Sequence, residues 1–307
     1  MFHSDVLLIH MGGLGDMCLS ESTFLSLSRH FAKNISALGY PRFFTFFHDY
    51  FRTIHSIESA KWLYLFSDYP SDEYWRKIVF VGKDRNGDLR RRWQAMSEEE
   101  MIFVDMYPDS GFPAVSLEPR DKVASAGPEP SSELGNSTSQ KPETNIHAED
   151  YQLLQLERSG IRTVKVDVIP RVSNRVILYP EAGVTKSKWH HKHFIELYHA
   201  LRKHSLEVCI FESFGLNLPI KDKVIVENLV DVKTFFEGGG IFVSNDSGMA
   251  HFAGMCGLTT ITVFSDFNPA IWHPRGKNIS LRLGNDRVDV PTMEDLIMKL
   301  ILDRGQD

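Results

Sequence analysis

Short apolar runs alternate with stretches of helical periodicity along most of the 307-residue chain. The first run, DVLLIH at 5–10, is typical of a strand buried in a parallel sheet, and 16–34 then carries apolar residues at helical spacing. Strands that alternate with helices indicate a parallel α/β sheet. Further strands are predicted at 35–40, 77–82 and 101–107, and 50–59 is predicted to be helical.

A second series of strand and helix units follows a helix predicted at 148–161. We therefore predict two parallel α/β domains with a ligand cleft between them. The N-terminal domain covers 1–147, an interdomain helix and linker 148–170, and the C-terminal domain 171–307. The second series comprises strands at 175–180, 207–211, 223–228, 240–245 and 259–265, and helices at 193–204, 247–257 and 292–305.

Residues 116–145 differ in composition from the rest of the chain. Four prolines (119, 128, 130 and 142) alternate there with six serines, and few residues are apolar. Such a stretch cannot bury enough surface to offset its ordering entropy. We predict a flexible surface insertion within the N-terminal domain, since structureless loops of this length are uncommon inside compact domains.

The composition narrows the function classes. A net charge of −6 argues against a nucleic-acid binder, which usually carries a basic excess. The three cysteines, Cys18, Cys209 and Cys256, have no CxxC spacing and are interpreted as buried thiols of a reducing compartment. No apolar run is long enough to span a membrane, and the N-terminus lacks the pattern of a signal peptide. We expect a cytoplasmic protein, which leaves room for contact with the inner face of the cytoplasmic membrane.

A glycine-rich loop joins the first strand to the first helix. In HMGGLGD, Gly12, Gly13 and Gly15 precede Asp16 at the start of the helix. Glycine lets the backbone approach a ligand closely, and the free N–H groups of a helix N-terminus favour negative charge. Asp16 is compatible both with a helix-capping role and with a functional carboxylate. The spacing is not GxGxxG, so it does not support a dinucleotide-binding loop.

Two stretches of the second domain suit a phosphate ligand. YPEAGVTKSKWHHKHF, at 179–194, places Gly183 and Lys188 in a loop after a parallel strand, where ligands collect. The nearby His190, His191 and His193 lack the spacing of a metal site, and we interpret them as solvated or capping residues.

The second of these stretches, GIFVSNDSGMAHFAGMCG at 240–257, places Asp246, Ser247 and Gly248 where a strand gives way to a helix. Either Asp246 or Ser247 could cap that helix, and the loop amides could bind a pyrophosphate. His251 follows one turn later on the face of Ser247, which favours ligand contact at least as much as a structural role.

Together these stretches resemble glycosyltransferase family 9, the heptosyltransferases of lipopolysaccharide core assembly. The resemblance rests on LLIHMGGLGD, on LYPEAGVTKSKWHHKHFIELYHAL and on FVSNDSGMAHFAGMCGLTTITVFSDFNPAIWHPRG. It covers nearly all of 171–276 and about the first 25 residues, and it is faint across 40–145. It implies the GT-B fold class, in which two Rossmann-like parallel α/β domains face a central cleft.

The resemblance also implies an activity. The family transfers a sugar from a nucleoside-diphosphate donor, ADP-heptose in its best-known members, to a glycan or glycolipid acceptor with inversion. Here Asp16 would be the base and Lys188 would stabilise the leaving diphosphate. No cofactor or metal is implied, and there is no DxD motif. Donor-binding roles are implied or inferred for Gly12, Gly13, Gly183, Glu212, Asp246, Ser247, Gly248 and His251; that of Glu212 is contact with the ribose.

Several departures from the family pattern bear on the ligands. The loop between 180 and 189 that contains Lys188, which we call the lysine loop, has PEAG at 180–183 in place of the family's Pro-Gly pair. The family's GPTDP turn is replaced by SDFNP at 265–269. No basic acceptor helix is recognisable in the N-terminal domain, so the acceptor is open. The basic run RNGDLRRRW, with Arg85, Arg90, Arg91, Arg92 and Trp93, is interpreted as a solvated helix face in preference to a clamp for a phosphorylated acceptor.

Two alternatives use the same fold. A nucleotide-sugar epimerase would need several acid/base residues around the anomeric carbon, and only Asp16 qualifies. A non-catalytic nucleotide-sugar-binding protein is compatible with the weak resemblance of the middle segment.

Overall fold

The computed structural model describes residues 2–67, 72–108, 145–181, 188–213, 218–221 and 223–303. The predicted insertion at 116–145 therefore lies outside the described residues, apart from Asn145, and so does Gly183. In the part that is described, strands and helices alternate in two series, and all the strand pairs are parallel. This confirms the predicted α/β class.

The first series forms a five-stranded sheet in the order β3-β2-β1-β4-β5. The central strand is β1, whose residues from Val6 to Ile9 are fully buried because helices cover both faces of the sheet. The strands are β1 Phe2–His10, β2 Ile35–Gly39, β3 Thr53–Ser56, β4 Tyr74–Gly82 and β5 Ile102–Asp105. The helices are α1 Leu14–Leu19, α2 Glu21–His30, α3 Pro41–Phe44, α4 Asp88–Gln94 and α5 Ala148–Arg158, with short 3₁₀ helices at Thr45–Tyr50 and Ala60–Leu65.

Two of the predictions for this half are wrong in detail. The stretch 50–59, predicted to be helical, contains β3, which pairs with β2 and is held there by Ser36 and Thr53, whose hydroxyl oxygens lie 2.9 Å apart. The helix predicted over 16–34 is divided at Ser20 into α1 and α2. The hydroxyl group of Ser20 is buried and lies 3.2 Å from Nε2 of His10.

The second series forms a six-stranded sheet in the order β11-β10-β9-β6-β7-β8. The edge strand β11 was not predicted, because its half-exposed residues do not form an apolar run. The strands are β6 Val176–Tyr179, β7 Val208–Ser213, β8 Lys223–Val226, β9 Ile241–Asn245, β10 Thr259–Phe264 and β11 Asn278–Arg282. The helices are α6 His191–Arg202, α7 Leu229–Phe236, α8 Gly248–Met255, α9 Pro269–Trp272 and α10 Val290–Asp303. None of the helices described here is long and apolar enough to cross a membrane.

The segment after α5 runs along α2 as an extended chain. The backbone N–H groups of Val164 and Val166 donate to the hydroxyl oxygens of Ser26 and Ser22, each at 2.9 Å. The side chains of α5 pack into the core of the first half. The domain boundaries at 147 and 170 stay a prediction, but this segment is physically anchored to the first half.

A buried arginine from the second half completes this junction. Arg275 is 3% exposed, its Nε lies 2.8 Å from Oε1 of Glu149, and it also pairs with Glu21. Its guanidinium donates to the carbonyl oxygen of Val166 at 2.7 Å. Ser22 donates to the same Glu149 oxygen at 2.5 Å, so the buried carboxylate has several polar partners. This cluster ties α2, α5 and the extended segment to the second half.

We expect Arg275→Met to lower the free energy of unfolding by about 3–5 kcal/mol, because removing one partner leaves buried carboxylates without their charge partner. Denaturant unfolding measures the loss. The matched control is Arg287→Met, which removes an ion pair to Asp289 from a side chain that is 77% exposed; its loss should stay within about 1 kcal/mol. Equal losses in the two variants would contradict a structural role for the buried cluster.

Candidate functional site

The glycine-rich loop follows β1, the central strand of the first sheet. Gly13 is the N-cap of α1, and its backbone N–H donates to Oδ2 of Asp16 at 2.9 Å. The carboxylate therefore satisfies a helix-end N–H that has no partner within the helix. This is the capping geometry that the sequence allowed for Asp16.

Position 12 has room for glycine but not for a residue with a side chain. A Cβ added to it would lie 2.6 Å from Cβ of Asp16 and 2.8 Å from Cε1 of His10. Real Cβ atoms do not approach so closely, so any larger residue here has to displace either the carboxylate or the imidazole. A Cβ on Gly13 would meet only Oδ2 of Asp16, at an ordinary 3.8 Å.

Asn245, Asp246, Ser247 and Gly248 form the turn between β9 and α8, which we call the NDSG turn. Ser247 is the N-cap of α8, and its hydroxyl oxygen accepts the backbone N–H of Ala250 at 3.3 Å. Of the two capping candidates from the sequence, the serine takes this role. The carboxyl group of Asp246 is thereby left beside the helix N-terminus, where free N–H groups favour negative charge.

The glycine-rich loop and the NDSG turn meet. A Cβ on Gly15 would lie 2.9 Å from Cδ2 of His251 and 3.4 Å from Cα of Gly248. A Cβ on Gly248 would lie 3.2 Å from the backbone nitrogen of Gly15. The first turns of α1 and α8 are therefore in direct contact, and Asp16 directly follows the glycine of α1 that makes this contact.

Burial shifts the pKa of each ionisable group at this contact. Desolvation raises the pKa of Asp16, partly offset by its hydrogen bond from Gly13. Desolvation raises the pKa of Asp246 to about 7. Desolvation, together with the neighbouring His147 and His273, lowers the pKa of His251 to about 3. The site therefore holds the neutral imidazole of His251 and one carboxyl group, that of Asp246, which is partly protonated at neutral pH.

His251 also has an unsatisfied polar atom. Its Nδ1 is buried and has no hydrogen-bond partner within the part of the chain that the structure describes. Its Nε2 lies 3.9 Å from Oδ1 of Asp246, beyond hydrogen-bond distance. Buried polar atoms are nearly always paired, so a ligand at the NDSG turn is one way to satisfy this nitrogen.

Asn245 holds both described ends of the lysine loop and was missed from the sequence. Its Oδ1 accepts the backbone N–H of Trp189 at 2.8 Å, and its Nδ2 donates to the carbonyl oxygens of Trp189 and Pro180 at 3.1 and 3.2 Å. Lys188 is exposed and directly precedes Trp189. One signal was available: Asn245 is a polar residue at the end of an apolar, buried strand.

The structure gives Glu212 an internal partner. Its side chain is buried on β7, and its carboxylate accepts the backbone N–H of Leu218 at 3.2 Å and pairs with Nζ of Lys223 at 3.1 Å. Contact with a ribose, as expected from the sequence, would have to compete with this ion pair.

The basic run and the histidines of the lysine loop have local partners. Arg91 pairs with Asp88, Arg92 donates to the carbonyl oxygen of Ser67, and the guanidinium of Arg90 lies 4.3 Å from the ring centre of Phe103. These contacts favour the solvated helix face over an acceptor clamp. His190 is the N-cap of α6. The described residues contain no group of three or more His, Cys, Asp or Glu side chains placed to hold a metal ion.

We expect Gly12→Ala to lower the free energy of unfolding by about 1–3 kcal/mol, because the added methyl group overlaps His10 and Asp16. Gly13→Ala is the matched control one residue later, and it should cost less than about 1 kcal/mol because its methyl group meets no close neighbour. Parallel denaturant titrations compare the two. A smaller loss for Gly12→Ala than for Gly13→Ala would contradict this account of the loop.

Comparisons with known proteins identify the fold. The sequence matches no protein-family model and no curated protein. Three solved structures are similar over almost their whole length. Escherichia coli heptosyltransferase WaaC, solved with ADP, gives a TM-score of 0.62 at 13% identity and covers 97% of this chain and 99% of its own. A glycosyltransferase family 9 structure from Veillonella parvula gives a TM-score of 0.65 at 11% sequence identity, and the match covers 98% of this chain and 97% of that structure. Escherichia coli ADP-heptose lipopolysaccharide heptosyltransferase II gives a TM-score of 0.61 at 13% sequence identity, and the match covers 98% of this chain and 99% of that structure. The chain therefore has the heptosyltransferase-like GT-B fold, as its sequence predicted.

Proposed function

We propose that this protein is an inverting glycosyltransferase that transfers a sugar from a nucleoside-diphosphate donor to a hydroxyl group of a glycan acceptor. The contact between Gly15 and Gly248 carries this proposal. It brings a carboxylate from the first half beside a helix N-terminus of the second half. A base and an anion-binding helix end in one site are the two elements that such a transfer needs.

The donor diphosphate is assigned to the NDSG turn and Lys188. The N–H groups of Gly248 and Met249, which begin α8, have no partners within the helix and can donate to phosphate oxygens, whereas that of Ala250 is held by Ser247. With the pKa of Asp246 raised to about 7, that carboxyl group carries less than a full negative charge at neutral pH, which limits repulsion of the diphosphate. The exposed ammonium group of Lys188 adds positive charge from the adjoining loop.

In the proposed reaction Asp16 is the general base. The acceptor hydroxyl oxygen attacks the anomeric carbon on the face opposite the diphosphate and gives its proton to the carboxylate of Asp16. The bond between the anomeric carbon and the diphosphate oxygen breaks, and its electron pair leaves with the nucleoside diphosphate. Lys188 and the α8 amides stabilise the charge that develops on the leaving group. The configuration at the anomeric carbon is inverted.

We infer that these groups do this without a metal ion, since an ammonium group and a helix N-terminus together can meet the negative charge of a diphosphate. The donor base is proposed to be adenine, because WaaC, which has the same fold, was solved with ADP. A heptose or similar sugar and a lipopolysaccharide-type acceptor, with membrane contact where that acceptor is lipid-anchored, complete the proposal.

We expect ADP to give the largest rise in melting temperature in a panel of ADP, GDP, UDP, CDP and dTDP. At a hundredfold excess over its dissociation constant, a ligand of the native state adds about 2.7 kcal/mol of stability. For a chain of this length that corresponds to a shift of roughly 4 °C. Differential scanning fluorimetry measures it. A flat response to all five nucleotides would contradict a nucleotide-sugar donor.

Asp16→Asn should lower kcat for transfer by at least about a hundredfold, because the amide cannot accept the acceptor proton. The affinity for ADP should change less than about twofold, since the amide oxygen can still accept the Gly13 N–H. ADP release from ADP-heptose, with truncated lipopolysaccharide core as acceptor, measures the rate. Asp303→Asn, at an exposed carboxylate, is the control. If the wild-type protein binds ADP but transfers no sugar, the non-catalytic binding alternative is favoured instead.

A further inference from the structure

His10 is the last residue of β1, and its side chain is completely buried. The rings of Phe24 and Phe44 meet it edge-on, with ring centres 5.4 and 6.4 Å away. Burial lowers the pKa of His10 to about 3, so its imidazole is neutral at physiological pH. The reaction described above leaves this buried polar side chain without a role.

The hydrogen bonds of His10 define its tautomer. The backbone N–H of Gly12 donates to Nδ1 at 3.2 Å, so Nδ1 must be the nitrogen without a proton. In the neutral ring Nε2 then carries the proton and donates to the hydroxyl oxygen of Ser20, 3.2 Å away. Ser20 lies at the junction of α1 and α2, so the ring links the end of β1 to both helices.

A short series of contacts joins the imidazole to Asp16. The N–H group of Gly12 is held by His10. Because Gly12 has no Cβ, there is room beside it for both the imidazole ring and the side chain of Asp16. The next residue, Gly13, donates its N–H to Oδ2 of Asp16 at 2.9 Å. A shift of the Gly12–Gly13 backbone would therefore move the hydrogen-bond donor that orients the carboxylate.

We propose that His10 is a positioning residue for Asp16: its neutral ring holds the Gly12 N–H at Nδ1 and Ser20 at Nε2, and so fixes the turn that orients the carboxylate. The proposal rests on the proposed function insofar as Asp16 is the base. The link from the imidazole to the carboxylate does not depend on catalysis.

The test compares two substitutions that each keep one half of the imidazole. In His10→Asn the amide oxygen can occupy the position of Nδ1 and accept the Gly12 N–H. In His10→Gln the amide reaches the position of Nε2, and the Gly12 N–H loses its acceptor. We expect His10→Gln to lower kcat about a hundredfold with KM for the donor unchanged, because a small displacement of a base costs about that much. His10→Asn should retain at least a tenth of the wild-type kcat.

A second readout does not depend on turnover. Carbon-13 NMR titration of the Asp16 carboxyl group should give a higher pKa in His10→Gln, because the Gly13 N–H bond that favours the carboxylate is weakened. His10→Asn should titrate like the wild type. In the control His55→Gln, the Asp16 carboxyl group should also titrate like the wild type, because His55 is a different, only partly buried histidine of the same sheet.

The outcomes separate the two proposals. An unchanged or lowered Asp16 pKa in His10→Gln, or an Asn variant as impaired as the Gln variant, overturns the positioning role. Full transfer by Asp16→Asn overturns the proposed function but leaves the NMR comparison valid. If His10→Gln does not fold, Ser20→Ala replaces it. That variant keeps the ring but removes the Nε2 partner, and an unaltered Asp16 pKa there also overturns the proposal.

Discussion

The contact between Gly15 and Gly248 is the constraint on which the site depends. Each glycine lies in the first turn of a helix that follows the central part of its own sheet, and a side chain on either one would push the two helices apart. In open parallel sheets, ligands bind beyond the carboxyl ends of the strands. Here the carboxyl ends of β1 and β9 lead into two helix N-termini that touch, so the ligand-binding ends of both sheets are brought to one place.

This arrangement has an electrostatic cost that local chemistry reduces. Two carboxyl groups, Asp16 and Asp246, lie in a poorly solvated region, and desolvation raises the pKa of both. The imidazole of His251 is neutral and supplies no compensating charge, so the hydrogen bond from the Gly13 N–H is what stabilises the carboxylate of Asp16. A site of this kind is more stable when a ligand brings hydrogen-bond partners to the orphaned Nδ1 of His251. Meanwhile the buried Arg275 cluster holds the two halves together.

The sequence predicted the central strands and two of the four edge strands, β5 and β8, but not the edge strands β3 and β11. Central strands such as β1 are continuous apolar runs, whereas the edge strands β3 and β11 are short and partly polar, so periodicity does not identify them. Asp16 and the NDSG turn were predicted from loop chemistry, and their proximity was expected only because the resemblance implied two domains that face a cleft. The position of Glu212 at a strand end was predicted, but its partner Lys223 was not. Lys223 comes from the neighbouring strand, and strand pairing is not readable from a single sequence.

The residues that sequence analysis missed share one physical role. His10 ends β1 and Asn245 ends β9, and both are buried polar side chains that bind the backbone of a following or adjacent loop. A buried polar group is stable only when its hydrogen bonds are satisfied, so each side chain requires one particular loop geometry. The strands that carry them lie inside their sheets, with a paired strand on each side. The glycine-rich loop and the described ends of the lysine loop are thereby held to a central strand of each sheet, which is what a site needs if its carboxylate and its anion-binding amides are to keep a fixed distance.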